Sequence, residues 1–193
     1  MRLILASVSP RRKELLKKAG FAFETFAPDT DEISEGLYFE KVALFNAIRK
    51  AEFVAGLFPD AMVIGADTVI ESEGRILGKP CSLSNAADML SSLSGKAHRV
   101  VSAVCVRNIE KSISCVFAEL STVYLRDFGA DTIDRYLRLV NVLDKAGAYA
   151  VQEYGDMLVE KLDGSVENVI GLPTARLTES LNHLLSAVEH QVT

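Results

Sequence analysis

Two long runs of alternating apolar and polar residues constrain the fold of this chain more than any other feature. The runs are His98–Arg107 and Ser114–Leu125, and the polar segment Asn108–Lys111 separates them. Alternation is typical of strands, and a short polar break between two such runs predicts a β-hairpin. Because helical and strand patterns interleave along the rest of the chain, we predict a mixed α/β sheet flanked by helices and not a purely parallel one.

The other strands and helices follow from periodicity and from local start and stop signals. Short apolar or alternating segments predict strands at Leu3–Leu5, Phe21–Phe26, Met62–Ile70, Arg75–Leu77 and Met157–Leu162. Apolar residues at helical spacing predict helices at Arg11–Ala19, Glu40–Leu57, Ser84–Leu93, Ala130–Leu139 and Pro173–Leu185. No linker, repeat or low-complexity segment interrupts the 193 residues, so we predict one domain spanning residues 1–193.

Composition and charge narrow the class of protein. Hydrophobic residues make up 49% of the chain, which is ample for a buried core. The net charge of −5 argues against a broad nucleic-acid surface, but a pocket for a small phosphate ligand needs only a few local cations. No apolar run approaches the roughly 18–20 residues of a membrane helix, and the apolar start is too short for a secretory signal. We therefore expect a cytoplasmic protein with no membrane segment and no stable nucleic-acid complex.

The first candidate for chemistry is the segment SVSPRRK at residues 7–13, where a strand runs directly into a helix. Ser9 suits the N-cap because its hydroxyl can accept a free N–H group, and Pro10 suits the first helical position because it has no N–H to lose. A helix N-terminus favours anions, and the guanidinium groups of Arg11 and Arg12 can donate paired hydrogen bonds to phosphate. A capped helix with solvated basic residues explains the segment equally well on local grounds.

The second candidate is the GADT sequence at residues 65–68, which follows the apolar segment Met62–Ile64. An acid at the carboxyl end of a strand is well placed in the cleft of an α/β protein, where Asp67 can hold Mg²⁺ or activate a water. Glu32, in the acidic segment DTDE, is a candidate second ligand because two carboxylates bind Mg²⁺ better than one. The plainer interpretations are a turn or cap residue for Asp67 and a solvated loop for Glu32.

Two lysines and a loop of small residues complete the candidates. Lys50 lies within a predicted helix, and Lys79 lies where the turn after the GADT strand can bring it near Asp67. Residues 144–152, DKAGAYAVQ, combine small residues with Gln152, whose amide both donates and accepts as the edge of a base requires. Surface lysines and an ordinary turn explain the same residues without a ligand.

Missing motifs exclude several other kinds of site. The chain has neither the GxxxxGK[ST] P-loop nor the GxGxxG dinucleotide fingerprint, and it has no GxSxG elbow of a serine hydrolase. Its histidines lack the HExxH spacing of a zinc protease. We interpret His98 as a strand residue and not as a catalyst.

Taken together, the ordered landmarks resemble the Maf-like nucleotide pyrophosphatase family. They are LILASVSPRRKELL, VIGADTVI, LGKP, LSGKAHRV, DKAGAYAVQ and GLPTARL, and they span nearly the whole chain. Each is weak alone, but their combination is highly specific. The resemblance implies a mixed α/β fold with a cleft between two lobes, and hydrolysis of a nucleoside triphosphate to the monophosphate and pyrophosphate. It also implies a divalent cation, Mg²⁺ or Mn²⁺, and a homodimer.

The resemblance assigns roles to individual residues. Asp67 matches the family's catalytic aspartate, which acts as general base, and we expect Asp67 and Glu32 to hold the metal. The positions expected to bind substrate match Ser9, Arg11, Arg12, Lys50, Thr68, Lys79 and Gln152. Within that set, Arg11, Thr68 and Gln152 together resemble the subgroup that acts on dTTP and UTP.

Two departures from the family pattern bear on the substrate. Ala150 and Glu153 replace glycines, and a Glu beside Gln152 can repel a phosphate or alter the choice of base. The segment Cys81–Leu83 stands where an acid is often found. Two alternatives stay open. The first is a 7-methyl-GTP pyrophosphatase, although Arg11 argues against it because that subgroup typically has an aromatic residue at this position. The second is a non-catalytic nucleotide-binding or nucleic-acid-associated protein that blocks septum formation.

Overall fold

The computed structural model describes the backbone of residues 2–34 and 38–190, with side chains through residue 186. Strands and helices are interspersed along these residues. The strands are Leu3–Ala6 (β1), Glu24–Thr25 (β2), Met62–Ser72 (β3), Arg75–Leu77 (β4), Ala97–Asn108 (β5), Ile113–Leu125 (β6) and Val159–Asp163 (β7). The helices are Pro10–Lys18 (α1), Phe39–Leu57 (α2), Leu83–Leu93 (α3), Ala130–Leu139 (α4), Val166–Ile170 (α5) and Thr174–His190 (α6).

The strands of the described residues join one mixed sheet. Its order is β2-β1-β3-β5-β6-β7, and β4 folds back as a second partner near the far end of β3. β1 runs parallel to both of its neighbours, whereas β3, β5, β6 and β7 pair antiparallel in succession. The sheet is therefore mixed, as the sequence predicts.

The predicted hairpin forms the centre of this sheet. β5 and β6 pair from Ala97 opposite Tyr124 to Asn108 opposite Ile113, and residues 109–112 form the turn. β5 is almost wholly buried, because β3 and β6 flank it and helices cover both of its faces. This long central strand provides the surface on which the helices pack.

The alternation of side chains along β3 decides which helices cover which face. Val63 and Val69 pack against α2 on one face, whereas Met62, Ile64 and Ala66 pack against α1 and α6 on the other. Farther along the sheet, this second face is covered by α3 and α4. Neighbouring residues of β3 therefore point toward different helices, and the alternation continues through the predicted site.

β1 is much shorter than β3, and this difference leaves part of one edge of β3 open. β1 ends at Ala6, which pairs with Gly65, and β4 pairs only from Ile70 onward. Residues 66–69 of β3 therefore have β5 on one side and, among the described residues, no strand on the other. A gap beyond the carboxyl end of a parallel strand is where open α/β sheets place ligands.

The strand predicted at Phe21–Phe26 is wrong in extent. Only Glu24–Thr25 pairs with β1, because β1 has four residues and meets this segment at just two positions. Phe21 and Phe23 nevertheless pack against the core formed with α1 and α6. The alternating pattern thus reports burial correctly, while the length of the partner strand limits the hydrogen-bonded ladder.

Two segments near the C-terminal end also differ from prediction. The strand predicted at Met157–Leu162 starts only at Val159, because Gly155–Met157 forms a 3₁₀ turn. The sequence does not predict α5, which begins where the Ser165 hydroxyl accepts the N–H of Asn168. A helix of five residues carries too little periodicity to be detected.

The remaining predicted elements are confirmed. β4 and α4 have the predicted bounds, and Ser9 caps α1 with Pro10 as its first helical residue. Within the described part of the chain, no helix combines the length and the apolar character needed to cross a membrane.

Candidate active site

The gap beside β3 opens into a cleft of about 420 Å³. The end of β1, the first turn of α1, the open edge of β3 and two loops surround it. The nine residues that the sequence predicts for the site all line this cleft: Ser9, Arg11, Arg12, Glu32, Lys50, Asp67, Thr68, Lys79 and Gln152. The fold therefore brings together residues from distant parts of the chain, and their individual roles stay predictions.

The GADT sequence suggests an acid at the carboxyl end of a strand, but Asp67 lies in the middle of the 11-residue strand β3. It reaches the cleft because β1 stops at Ala6 and leaves that edge of β3 open. The pleat turns Asp67 toward α2 and the next residue, Thr68, toward α1 and the end of α5. Asp67 is only 6% exposed, so the side chains of α2 build most of its environment.

Two residues of α2 bind the carboxylate of Asp67. Lys50 Nζ donates to Oδ1 at 2.7 Å, and Asn46 Nδ2 donates to Oδ2 at 3.0 Å. Lys50 Nζ also lies 2.5 Å from Glu32 Oε1, and the Asn46 side chain binds both the N–H and the carbonyl of Ile33. One face of α2 therefore holds both the catalytic candidate and the loop that carries the second acid.

A close approach of α2 to β3 allows Lys50 and Asn46 to reach Asp67. A Cβ placed on Gly65 would lie 2.3 Å from the Ala47 carbonyl oxygen and 2.6 Å from the Ala51 nitrogen. Helix and strand can reach this separation only because position 65 has no side chain. The Gly of the GADT sequence thus sets the distance over which α2 reaches Asp67.

The first turn of α1 forms a second wall of the cleft. Ser9 Oγ accepts the N–H of Arg12 at 3.5 Å, as predicted for an N-cap. The Arg12 guanidinium donates from Nε to the Gly171 carbonyl at 2.9 Å and from Nη2 to Thr68 Oγ1 at 3.0 Å. Arg12 therefore ties α1 to β3 and to the end of α5.

The charge lining the cleft is mainly positive, although the whole chain is negative. The lining carries five cations and three carboxylates: Arg11, Arg12, Lys50, Lys79 and Lys145, and Glu32, Asp67 and Asp144. Burial lowers the pKa of the Arg12 guanidinium, which Asp67 and Glu32 oppose. Burial raises the pKa of Glu32, but the hydrogen bond and charge of Lys50 and the charges of Lys79 and Arg12 outweigh it, so this pKa is lowered overall. Such a lining suits a polyanion bound together with a cation.

The loop at residues 144–152 forms a third wall, and sequence reasoning missed its charged residues. Arg11 Nη1 donates to Asp144 Oδ2 at 3.0 Å, and Arg11 Nη2 donates to the Asp144 carbonyl at 3.3 Å. Lys145 Nζ lies 2.9 Å from Asp144 Oδ1 and 3.3 Å from Glu153 Oε1. A cation therefore offsets the charge of Glu153, which weakens the repulsion expected from the sequence.

Sequence reasoning also missed a buried polar network behind the cleft. Thr68 Oγ1 shares a hydrogen bond of 2.8 Å with Ser102 Oγ, and Ser102 Oγ donates to the Asn168 carbonyl at 2.7 Å. Asn168 Nδ2 in turn donates to Ser121 Oγ at 2.8 Å. The available signal for this network was the hydroxyl of Ser102 within an apolar strand. Sequence reasoning also missed Asn46, the second residue that binds Asp67, and its signal was its position one helical turn before Lys50.

The donor set of the cleft fits a hard divalent cation. Glu32 and Asp67 each place a carboxylate oxygen on the same ammonium group, that of Lys50, so the two carboxylates lie side by side in the cleft. The Glu32 side chain is 57% exposed, which leaves room for other oxygen ligands. Proteins usually hold Mg²⁺ with one or two carboxylates together with waters and substrate phosphates. Among the described residues, no group of three or more His, Cys, Asp and Glu side chains could hold a metal ion.

Comparison with known proteins gives a consistent set of relatives. The family model described as Maf-like protein matches residues 2–184. A protein of Akkermansia muciniphila named dTTP/UTP pyrophosphatase is 43% identical, covering 94% of this chain and 96% of its own length. Proteins of the same name from Fusobacterium nucleatum and Dictyoglomus thermophilum are 41% and 40% identical, each covering 94% of this chain and 95% of its own length.

A solved structure supports the fold independently of close sequence similarity. The structure of the Staphylococcus aureus Ham1 protein matches with a TM-score of 0.53 at 18% identity. The match covers 93% of this chain and all of the other. At this identity the likeness concerns the fold alone.

Proposed function

The chain belongs to the Maf family, and from this membership we propose that it is a nucleotide pyrophosphatase hydrolysing dTTP and UTP to the monophosphate and pyrophosphate. Relatives bearing that name are 40–43% identical over almost the full length of both chains. One observation carries the proposal: two side chains of α2 hold Asp67 at the open edge of β3, in the same cleft as the cationic first turn of α1.

In this proposal, the triphosphate binds at the first turn of α1. Free N–H groups and the helix dipole favour anions there, and Arg11 and Arg12 follow directly. Lys79 lines the same cleft, and its charge acts on Glu32. These cations neutralise the phosphate oxygens and hold the α-phosphorus close to Asp67.

We propose that Glu32 and Asp67 hold Mg²⁺ or Mn²⁺. When bound, the cation neutralises phosphate charge and lowers the pKa of water. Lys50 and Asn46 keep both carboxylates turned toward the cleft, because each of the two residues contacts Asp67 and either Glu32 or its loop.

Asp67 acts as the general base of the reaction. Its carboxylate accepts a proton from the attacking water, whose oxygen forms a bond to the α-phosphorus while the bond to the α–β bridging oxygen breaks. Pyrophosphate leaves with the electron pair of the broken bond. Most of the acceleration comes from positioning and charge stabilisation, since phosphoryl chemistry asks little covalent help of the protein.

Arg11, Thr68 and Gln152 select the nucleobase of the substrate. The carboxamide of Gln152 both donates and accepts, as the carbonyl and N–H groups on the edge of uracil or thymine require. Thr68 is held between Arg12 and Ser102, so it presents a fixed part of the wall.

We further propose that the protein acts in the cytoplasm as a homodimer. The proposed substrates are precursors of nucleic-acid synthesis, which supports a location in that compartment. α2 carries exposed apolar side chains, Phe45, Phe53 and Leu57, which are available for contact with a second subunit. Light scattering of the purified protein would test the dimer, and cell fractionation would test the location.

Hydrolysis of UTP, dTTP, CTP and 7-methyl-GTP by the purified protein, with and without Mg²⁺, tests the function. We expect metal-dependent release of pyrophosphate and the monophosphate from UTP and dTTP. An Asp67→Asn variant should be about 10²–10⁴-fold slower, which is the usual loss for a general base. Asp163→Asn, at an exposed position of β7, is the matched control and should retain full activity.

Each alternative predicts a different result of these assays. Release of UDP and orthophosphate would reject the pyrophosphatase class, and a wild-type rate in Asp67→Asn would reject the role of that residue. Preference for 7-methyl-GTP would favour the other subgroup. Nucleotide binding without turnover would favour the non-catalytic alternative.

A further inference from the structure

Lys145 lines the cleft with a buried ammonium group, and the proposed chemistry does not use this group. It is 5% exposed. Its Nζ donates to the Asn141 carbonyl at 2.5 Å and lies 2.9 Å from Asp144 Oδ1 and 3.3 Å from Glu153 Oε1. The partners of Lys145 therefore come from both sides of one loop: two precede the small residues of the cleft wall and one follows them.

The first acidic partner, Asp144, holds Arg11 from across the cleft. Arg11 donates to both the carboxylate and the carbonyl of Asp144. These contacts use two of the five donors of the guanidinium, so the group can still donate to a ligand. Burial raises the pKa of Asp144, but the hydrogen bond and charge of Lys145 and the charge of Arg11 outweigh it, so the pKa is lowered and the pair stays charged.

The second acidic partner, Glu153, directly follows Gln152. The contact between Glu153 and Lys145 ties the backbone next to Gln152 to the same ammonium group that holds Asp144. Gln152 itself is exposed and lines the cleft. Ordering a long exposed side chain at the moment of binding lowers affinity, so anchoring its backbone in advance favours recognition.

We propose that Lys145 is a positioning residue for selection of the nucleobase. It acts through Asp144 and Glu153 to hold Arg11 and Gln152 in one fixed arrangement. This inference rests on the proposed function, in which Arg11 and Gln152 contact the base. Apolar packing of similar volume often stabilises a fold as well as a buried ion pair does. The contribution of Lys145 is therefore expected in selectivity more than in stability.

The test compares kcat/KM for UTP and for CTP, whose bases differ in the substituent at position 4 and in the proton at N3. In Lys145→Met the ratio of the two values should fall about tenfold, the effect of releasing a group held by a charge-assisted hydrogen bond. The change should arise mainly in the KM for UTP. Asp144→Asn and Glu153→Gln keep the size of each side chain and should each lower the ratio by a smaller factor.

These two milder variants keep the test decisive where Lys145→Met does not fold. Lys161→Met, which removes an exposed and ion-paired lysine of β7, is the matched control and should leave the ratio unchanged. A selective wild type whose ratio persists in the variants of Lys145, Asp144 and Glu153 overturns this inference alone, even where their Tm falls. A wild type that hydrolyses UTP no better than CTP overturns the selectivity of the proposed function instead.

Discussion

Replacing Gly65 with alanine tests whether the distance between α2 and β3 sets the geometry of the cleft. The new Cβ would lie 2.3 Å from the Ala47 carbonyl oxygen, and 2.6 Å and 2.8 Å from the nitrogen and Cβ of Ala51. None of these atoms can rotate away. Since non-bonded carbon contacts normally measure about 3.5 Å, α2 must retreat by roughly 1 Å. That movement carries Lys50 and Asn46 away from the carboxylate they hold.

Two measurable losses follow from this displacement. Overpacking of this kind costs about 1–3 kcal/mol, and each kcal/mol lowers the Tm of a chain of this size by roughly 2–4 °C. A catalytic group misplaced by about 1 Å can lose roughly 10²-fold in rate. We therefore expect Gly65→Ala to lower both the Tm, measured by calorimetry, and the kcat for UTP, measured by pyrophosphate release.

A second glycine of the same region provides the control. Gly56 lies on the exposed side of α2, and a Cβ there meets nothing within 4 Å. Gly56→Ala should leave kcat unchanged and stabilise the protein by up to about 1 kcal/mol, because alanine favours the helix. A Gly65→Ala variant with wild-type kcat would refute the link between helix–strand distance and catalysis, even with a lowered Tm.

Three further predictions concern ion pairing and buried polar groups. Lys50→Met should lower kcat by roughly 10²-fold and, because Lys50 helps to lower the pKa of Glu32, should shift the acidic limb of the pH–rate profile upward. Burial lowers the pKa of His98 to about 4, so the unfolded chain binds the proton first as pH falls below about 6.5. Urea unfolding should therefore show about 2 kcal/mol less stability at pH 5 than at pH 7 from this residue, and His98→Gln should flatten that difference. Asn168→Ala should cost about 1–3 kcal/mol by the same assay, because it leaves the buried N–H of Ser102 unpaired; an unchanged urea midpoint would contradict this.

Local patterns predict most elements of this fold because the central segments are long and periodic. The hairpin of β5 and β6 and the helices α2 and α4 each present enough residues to separate period two from period 3.6. The failures occur where a partner decides the outcome. Phe21–Phe26 alternates correctly, but β1 is too short to pair with all of it.

The position of Asp67 shows the same limit at the level of the site. The residue type and the preceding small residues mark it as a candidate, yet it lies in mid-strand and is reached only because β1 ends early. Contacts between distant segments decide the rest of the cleft. Arg11 meets Asp144, and Arg12 meets Gly171, across 133 and 159 positions of the chain. No local pattern contains such pairings, so the resemblance to a family identifies residues whose partners only the structure shows.

The placement of Asp67 on a long strand separates the part of the cleft expected to affect kcat from the part expected to affect KM. β5 pairs with β3 before and after this position, and Lys50 and Asn46 bind the carboxylate from α2, so the proposed general base and the residues that hold it form one connected unit. Gln152 and the loop that carries Glu32 are more exposed. Regular elements hold a site more precisely than loops do, so we expect ordering on substrate binding to occur in the loops. Changes in the β3–α2 unit should therefore act on kcat, whereas changes in the loop network should act on KM and on the choice of base.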